Sequence, residues 1–252
     1  MRHLILSDIH ANLPALEAVL ADANLSRVDR VFCLGDVVGY GPNPNECLEK
    51  VRELVDFCVV GNHDWAAIGR TPIVEFNPAA LEAARWTQEA LTDENREYLE
   101  GLPEIVENGE VTLVHGSLRN PVWEYITSTA VAAGTFALQQ TPICFHGHTH
   151  VPVVIADSET EDEDSDPYSE APRVTVPSAG QRTSVTGSRF LVNPGSVGQP
   201  RDGDPRASYL IYDDEAQHVE HRRVAYPLEK TQEMIRAEGL PESLALRLSY
   251  GR

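Results

Sequence analysis

The sequence predicts an α/β fold, and two observations carry that prediction: the order of the apolar segments and the overall apolar content. In the first sixty residues, short apolar runs alternate with segments of helical spacing, in the order 3–7, 13–23, 31–34, 45–55 and 57–60. Such alternation is typical of parallel strands joined by crossover helices. The chain has 252 residues, of which 42% are apolar, so it is long enough to bury a sizeable core. We expect one domain over residues 1–252.

The later elements follow from the same patterns. Helical spacing recurs at 78–91, 93–102 and 130–139, and Pro227 opens a last helix that ends near Gly239. Short apolar runs predict further strands at 104–106, 111–114, 143–145, 151–155, 189–192, 208–212 and 219–224. The second half of the chain is therefore dominated by strands.

Residues 157–170, called the acidic segment below, differ in kind from the rest. The segment holds eight carboxylates and no Lys or Arg. Its apolar content is too small to offset the entropy cost of ordering it. We expect a mobile excursion between two strands, whose flanks 151–156 and 173–176 pair as a hairpin.

The charge balance narrows the choice of partners. Asp and Glu number 39 against 20 Lys and Arg, which gives a formal net charge of −19. Such a chain lacks the basic surface that long nucleic acids and anionic membranes attract. The four cysteines form no C-x-x-C pair, and no segment approaches the ~20 apolar residues of a membrane span. We expect reduced thiols and a soluble, cytoplasmic protein; the sequence leaves its oligomeric state open.

Polar residues follow five of the predicted strands at the point where each strand ends. They stand beside glycines or tight turns, in the blocks Ser7-Asp8-Ile9-His10, Gly35-Asp36, Gly61-Asn62-His63-Asp64, His115-Gly116 and His146-Gly147-His148-Thr149-His150. In open α/β sheets the ligand site lies outside the carboxyl ends of the strands. Separate pieces of sequence therefore deliver these side chains to one place.

The residue types in these blocks indicate a metal site. Carboxylates, an amide and imidazoles form a mixed nitrogen and oxygen set, which suits Mn, Fe, Zn, Ni or Co better than Ca or Mg alone. Seven candidate ligands are too many for one ion. They fit two divalent ions that share a bridging carboxylate.

The blocks resemble, in sequence and in order, those of the calcineurin-like metallophosphoesterase superfamily. The matching set is Asp-x-His, Gly-Asp, Gly-Asn-His-Asp, His-Gly and Gly-His-Thr-His, within residues 4–150. A later block, Asn193-Pro194-Gly195-Ser196, is similar to one in bacterial members, whereas the acidic segment has no place in the pattern. The resemblance implies the family's fold, a four-layer αββα sandwich of two mixed β-sheets flanked by helices.

The resemblance also implies a role for each matching residue. By this resemblance, the ligands of the first metal ion would be Asp8, His10 and His150. The ligands of the second would be Asn62, His115 and His148. Asp36 would bridge the two ions. His63 would lie near the substrate phosphate as general acid or charge stabiliser.

Four neighbouring residues have two interpretations each. Asp64 either orients His63 as part of the catalytic machinery or caps the following turn. Asn12 either contacts the substrate or caps the helix that begins after it. Tyr40 either stacks on a base or aryl group of the substrate or belongs to a rigid loop. Arg201 either binds phosphate through its guanidinium or is a solvated loop residue.

The expected activity follows from the charge of a phosphate ester. Two divalent ions neutralise that charge and lower the pKa of a bridging water, whose hydroxide then attacks phosphorus. We expect a metal-dependent phosphoesterase, with Mn²⁺ as the first choice of metal, that hydrolyses a phosphodiester or phosphomonoester of a small, nucleotide-like substrate. The resemblance also allows a protein serine/threonine phosphatase or a dinucleoside polyphosphate hydrolase. A catalytically silent scaffold of the same fold is disfavoured, because the ligand set is complete and His63 is present.

Overall fold

The computed structural model describes residues 1–73, 76–109, 111–157 and 171–252. Within these ranges the chain forms two mixed β-sheets of six strands each and eight α-helices. The strands are β1 (Arg2–Leu6), β2 (Arg30–Cys33), β3 (Phe57–Cys58), β4 (Ile105–Asn108), β5 (Val111–Val114), β6 (Ile143–Phe145), β7 (Val153–Ala156), β8 (Arg173–Thr175), β9 (Arg182–Ser184), β10 (Phe190–Asn193), β11 (Ala207–Asp213) and β12 (His218–Val224). The helices are α1 (Leu13–Ala23), α2 (Pro44–Leu54), α3 (Asn62–Ala67), α4 (Pro78–Ala90), α5 (Asp93–Glu100), α6 (Thr129–Phe136), α7 (Leu228–Ala237) and α8 (Glu242–Leu248).

Each sheet contains a parallel part that antiparallel strands extend. The first sheet has the order β3-β2-β1-β11-β12-β9, in which β1, β2 and β3 are parallel. The second has the order β4-β5-β6-β10-β7-β8, in which β5, β6 and β10 are parallel. Because parallel neighbours end at the same edge of a sheet, the polar blocks that follow these strands are brought together.

The two sheets pack face to face over an apolar layer, called the inter-sheet core below. Side chains alternate along each strand, so that Ile143 and Phe145 of β6 and Phe190 and Val192 of β10 all point into this layer. The first sheet contributes Ile5, Phe32, Leu34, Val59, Leu210, Tyr212 and Val219.

Helices cover the opposite face of each sheet. Leu6 of β1 turns away from the inter-sheet core and packs with Leu16 of α1 and Leu48 of α2. On the far side of the second sheet, Leu191 of β10 packs with Phe136 of α6. Helices, two sheets and a further helix therefore form four layers, which confirms the αββα sandwich.

The predicted elements agree with the observed ones to within three residues at each end. Part of this accuracy comes from capping, since Asn12, Asn77, Thr92 and Ser128 each accept a hydrogen bond from the backbone N–H three residues further on. The predicted hairpin is also confirmed, because β7 and β8 pair antiparallel. The four cysteines are free and buried, as expected.

Three elements of the structure were not predicted. Helix α3 has six residues and β9 has three, which is too short to display a period. Helix α8 follows α7 after a turn at Gly239, so the helix that Pro227 precedes is not the last one. Apart from Asp157, the acidic segment lies outside the described residues, and so does the prediction of its mobility. In the described part of the chain, no helix combines the length and apolar character needed to cross a membrane.

Candidate metal centre

The polar blocks meet where the parallel strands of both sheets end. The loops after β1 and β2 carry Asp8 and Asp36, and Asn62 is the first residue of α3, just after β3. The second sheet supplies His115 directly after β5 and His148 shortly after β6. All of these side chains are buried. The topology therefore gathers distant parts of the sequence into one polar cluster.

The cluster contains two groups of possible ligand atoms, and within each group these atoms lie within 4.8 Å of one another. The first group is Asp8, His10, Asp36 and His150, and the second is Asp36, His115 and His148. Asp36 belongs to both groups. The side-chain oxygen of Asn62 lies 3.2 Å from Nε2 of His115, which places it beside the second group.

Each carboxylate uses one oxygen for the protein and leaves the other bare. Oδ2 of Asp8 accepts hydrogen bonds from the Ser7 hydroxyl and the backbone N–H of His148, and Oδ1 of Asp36 accepts from the backbone N–H of His63. Oδ1 of Asp8 and Oδ2 of Asp36 are buried without a hydrogen-bond donor among the described residues. Buried, unpartnered carboxylate oxygens are costly, so these two atoms call for a cation.

Each imidazole is oriented through the ring nitrogen that faces away from the cluster. The pairs are Nδ1 of His10 with the carbonyl of Val38 at 3.1 Å, Nδ1 of His115 with that of Leu34 at 2.8 Å, Nε2 of His148 with that of Trp123 at 3.2 Å and Nδ1 of His150 with that of Gln199 at 2.6 Å. A carbonyl only accepts, so in each pair the imidazole N–H donates. This fixes the tautomer, as outer hydrogen bonds do for metal-binding histidines.

The first group presents two bare nitrogens to each other. Nε2 of His10 and Nε2 of His150 are 3.1 Å apart. Burial lowers the pKa of both imidazoles, well below the usual range in the case of His10, so neither ring carries a second proton at neutral pH. Two lone pairs at this distance repel unless a cation lies between or beside them.

The second group surrounds His115 with negative charge. Nε2 of His115 lies 3.4 Å from Oδ2 of Asp36 and 3.1 Å from Nδ1 of His148. Burial alone would lower the pKa of His115, but the carboxylates of Asp36 and Asp8 raise it to about 10. The surroundings of Nε2 therefore favour a positive charge, which a metal ion would supply. Both groups therefore fit divalent metal ions.

The loops that carry the ligands adopt an unusual backbone conformation. Among the described residues, nine residues other than glycine have a positive φ, and seven of them lie in these loops: Asp8, His10, Ala11, Asp36, Tyr40, His148 and His150. Positive φ is strained for such residues and clusters at functional sites. Close packing adds a constraint, because a Cβ on Gly61 would lie 2.1 Å from Oδ1 of Asp36 and one on Gly147 would lie 2.0 Å from Oγ of Ser7.

The later block at residues 193–196 holds these loops in place. The side-chain amide of Asn193 donates to the carbonyl of Gly147 at 2.7 Å, and the hydroxyl of Ser196 donates to the carbonyl of Asp8 at 2.8 Å. The block therefore braces one ligand loop of each sheet.

His63 lies beside the first ligand group. Its ring centroid is 5.0 Å from that of His10, 4.3 Å from that of Tyr40 and 4.9 Å from that of Phe76. Burial lowers the pKa of His63 to about 4. The structure thus places this imidazole against the cluster without adding it to either ligand group.

Asp64 supports the backbone of the site. Its carboxylate accepts hydrogen bonds from the backbone N–H groups of Asp36 at 2.8 Å, Val38 at 3.2 Å and Gly61 at 2.9 Å. Burial and the charge of Asp36 raise its pKa to about 7. With both oxygens bonded to backbone groups, Asp64 makes the contacts of the capping interpretation, and its role in orienting His63 stays a prediction.

Asn12 also has a structural position, and its contact with substrate stays a prediction. Its Oδ1 accepts from the backbone N–H of Ala15 and from the hydroxyl of Thr231, and its Nδ2 donates to the carbonyl of Gly198. The residue is only 2% exposed. Its polar atoms are committed to capping α1 and to tying that helix to its neighbours.

Tyr40 and Arg201 lie next to each other at the edge of the cluster. The Tyr40 ring is 7% exposed and packs against His10, with centroids 4.8 Å apart, and against His63. Stacking of a base or aryl group of the substrate on Tyr40 stays a prediction. Arg201 is half-buried, and its backbone N–H donates to the carbonyl of His150 at 3.3 Å.

The sequence did not single out Tyr125, whose ring stacks on that of His148 with centroids 3.7 Å apart and planes 16° apart. It is 45% exposed, so it forms part of the mouth of the site. Tyr125 lies in a segment without an apolar period, and the backbone carbonyls that orient the imidazoles have no sequence signature. No sequence pattern points to either.

Comparison with known proteins shows to which family this chain belongs. Residues 1–217 match the family model of the calcineurin-like phosphoesterase superfamily domain. The crystal structure of a metallophosphoesterase from Sphaerobacter thermophilus is 50% identical in sequence and superposes with a TM-score of 0.88, over 100% of this chain and 99% of that one.

Two further relatives extend the comparison. The uncharacterised protein MJ0912 of Methanocaldococcus jannaschii is 37% identical over 253 residues, which cover 98% of this chain and 97% of that protein. The phosphodiesterase YfcE of Escherichia coli K12 is 28% identical over 230 residues, which cover 87% of this chain and 91% of YfcE. The matched range 1–217 contains every residue of the cluster.

Proposed function

Because the chain belongs to the calcineurin-like phosphoesterase superfamily, we propose that its cluster binds two divalent transition-metal ions and that it hydrolyses a phosphodiester or phosphomonoester of a small, nucleotide-like substrate. The chain is a hydrolase that acts on phosphate esters. The observation that supports two ions is the position of Asp36, which belongs to both ligand groups.

The proposed ligand sets follow the two groups. Asp8, His10 and His150 would hold the first metal ion, and Asn62, His115 and His148 would hold the second. Asp36 would be shared by both, and its bare Oδ2 lies 3.7 Å from Nε2 of His10 and 3.4 Å from Nε2 of His115. Four imidazoles disfavour Ca²⁺ and Mg²⁺, and the mix of nitrogen and carboxylate oxygen suits a divalent transition metal, for which Mn²⁺ is our first choice.

Two such ions, when bound, neutralise the charge of a phosphate ester and lower the pKa of a coordinated water. The protein's own contribution is to position groups around the reacting phosphate. His63 lies beside the first ligand group, where its imidazole can donate a hydrogen bond to a phosphate oxygen or to the leaving oxygen. Tyr40 packs on its ring and so holds His63 in that position.

Two observations support a small diester as the substrate. YfcE, a relative of similar length, is a phosphodiesterase, and we extend that activity to this chain. The net charge of −19 opposes long nucleic acids, whereas divalent ions would make the site itself positive.

The test compares Asp36→Asn with His63→Gln in protein reconstituted with Mn²⁺. Bound metal and turnover of bis(p-nitrophenyl) phosphate and p-nitrophenyl phosphate are measured together. We expect wild-type protein to bind two ions and Asp36→Asn to lose metal and activity together. We expect His63→Gln to keep both ions and to lose turnover by about 10²–10⁴-fold, the usual contribution of a positioned proton donor.

The matched control is His218→Gln, which changes a histidine at the start of β12, outside the cluster, and should leave metal content and turnover unchanged. Wild-type protein that binds two ions but hydrolyses neither ester would contradict the proposed activity and favour a silent scaffold. Full turnover in metal-loaded His63→Gln would remove the role of His63.

A further inference from the structure

Two arginines face the same tyrosine ring at the edge of the metal centre. The guanidinium carbons of Arg201 and Arg247 each lie 5.8 Å from the ring centroid of Tyr40. Arg201 comes from the loop after the 193–196 block, and Arg247 comes from α8. The two residues are far apart in the sequence and meet only in the folded chain.

These two arginines lack the acidic partner that half of the other sixteen arginines have. Eight arginines form ion pairs with Asp or Glu: Arg52, Arg119, Arg182, Arg189, Arg206, Arg222, Arg223 and Arg236. Among the described residues, no carboxylate of Asp or Glu lies within ion-pair distance of Arg201 or Arg247. Although acidic residues outnumber basic ones by 39 to 20, this corner of the molecule carries two cations without an acidic partner.

The hydrogen bonds of the pair leave donors available. Nε and Nη2 of Arg201 donate to the side-chain oxygen of Gln199, at 3.3 and 2.8 Å, and Nη2 also donates to the Tyr40 hydroxyl at 3.5 Å. Nε of Arg247 donates to the backbone oxygen of Arg252. Within the described part of the chain, Nη1 of Arg201 and both Nη atoms of Arg247 have no hydrogen-bond acceptor. Burial and the charge of Arg201 lower the pKa of Arg247, which reflects the repulsion between the two cations.

The position of the pair connects it to the reacting centre. The Tyr40 ring lies near both guanidinium groups and also packs against His10 and His63. An anion held by both guanidinium groups would thus lie beside the same tyrosine ring that packs on His63.

We propose that Arg201 and Arg247 form a second anion site, which binds a further phosphate group of the substrate. Two guanidinium groups with free donors suit a phosphate, because each offers parallel N–H groups to its oxygens. A bound anion would also relieve the repulsion between them. The preferred substrate is then a nucleotide ester that carries a second phosphate beyond the scissile one. This assignment rests on the proposed function of the metal centre, and Arg247 lies beyond the range 1–217 that the family model matches.

The test uses two chromogenic esters that share the same reacting group. Thymidine 5′-(p-nitrophenyl phosphate) is compared with its 3′-phosphorylated form, using Mn²⁺-loaded wild-type protein and Arg247→Gln. We expect the 3′-phosphate to raise kcat/KM in the wild type, and Arg247→Gln to lower the ratio between the two esters by about tenfold, since a hydrogen bond to a charged group is worth that much. Arg247→Lys should restore part of the ratio.

The matched control is Lys230→Gln, which removes one exposed positive charge from the neighbouring helix α7 and should leave the ratio and the activity unchanged. Calorimetric titration of thymidine 3′,5′-bisphosphate and thymidine 5′-monophosphate measures binding without turnover. A wild type that does not distinguish the two ligands, or a preference that survives in folded Arg247→Gln, would overturn the second anion site. Hydrolysis of neither ester would overturn the proposed function instead, and the titration would still decide on the arginine pair.

Discussion

The inter-sheet core and the metal centre are buried to the same degree, yet burial has opposite effects on them. Phe145 and Leu210 in the core and Asp8 and His115 in the centre are all 0% exposed. Burial of apolar side chains stabilises the fold by about 25 cal/mol per Å². Burial of bare carboxylate oxygens and imidazole nitrogens costs free energy until a cation compensates them. The first region stabilises the molecule, and the second uses that stability to hold a binding site.

The backbone shows the same contrast. The strands around the inter-sheet core have regular pairing, whereas the ligand loops contain most of the positive φ values found outside glycine. Hydrogen bonds between backbone groups and the side chains of Asp64, which accepts, and of Asn193 and Ser196, which donate, hold those loops. The difference suggests that the two regions can be perturbed separately.

The largest expected effect is on the core. Phe190 is the first residue of β10 and is 6% exposed. The metal centre lies beyond the opposite end of this strand. We expect Phe190→Ala to lower the free energy of unfolding by about 3–5 kcal/mol, from lost burial and the cavity it leaves. Urea denaturation measures this change, and the folded variant should still bind the wild-type amount of metal. The exposed Leu138→Ala should change stability by less than about 0.5 kcal/mol. Metal loss from folded Phe190→Ala would show that the regions are not separable.

The next largest effect is on the metal centre, where metal binding raises the free energy of unfolding instead of lowering it. Adding a divalent ion at about 100 times its dissociation constant should raise the free energy of unfolding by about 2.7 kcal/mol per site. For a chain of this length that corresponds to a rise in Tm of roughly 5–10 °C. Differential scanning calorimetry with Mn²⁺ and with EDTA measures it. The rise should persist in Phe190→Ala and vanish in Asp36→Asn; an equal rise in Asp36→Asn would place the metal elsewhere.

The contrast also explains what the sequence could predict. Apolar periods located the helices and strands, because each of those elements buries one face. The residues of the polar cluster could be located because Asp, Asn and His beside glycine are unusual at strand ends, and because their order resembles a known family. The sequence could not show that Asn12 and Asp64 serve the backbone, because a capping residue and a contacting residue have the same letter.

Contacts between residues far apart in the sequence could not be predicted from it, for a different reason. Arg247 meets Arg201 only because α8 packs beside Tyr40, and α8 itself was not predicted. The stacking of Tyr125 on His148 depends on a loop without a period. Such contacts are set by tertiary packing, so a local pattern contains no trace of them.

The smallest of these effects concerns Asp64, whose carboxylate holds the backbone of the metal centre. An asparagine at this position keeps the shape but replaces one acceptor oxygen by a donor, which faces a backbone N–H of Asp36, Gly61 or Val38. The loop that presents Asp36 would loosen while every proposed ligand stays in the chain. We expect Asp64→Asn to weaken activation by Mn²⁺ by about 10–100-fold, as substitutions behind metal ligands do. Activity measured against metal concentration tests this prediction. The activity should recover at saturating Mn²⁺, because Asp64 positions a ligand and does not react.

The matched control is Asp56→Asn, since Asp56 accepts from the backbone N–H of Val31 at the other end of the same sheet. This substitution should leave metal activation unchanged. A loss of turnover that saturating metal does not restore would instead return Asp64 to the catalytic machinery.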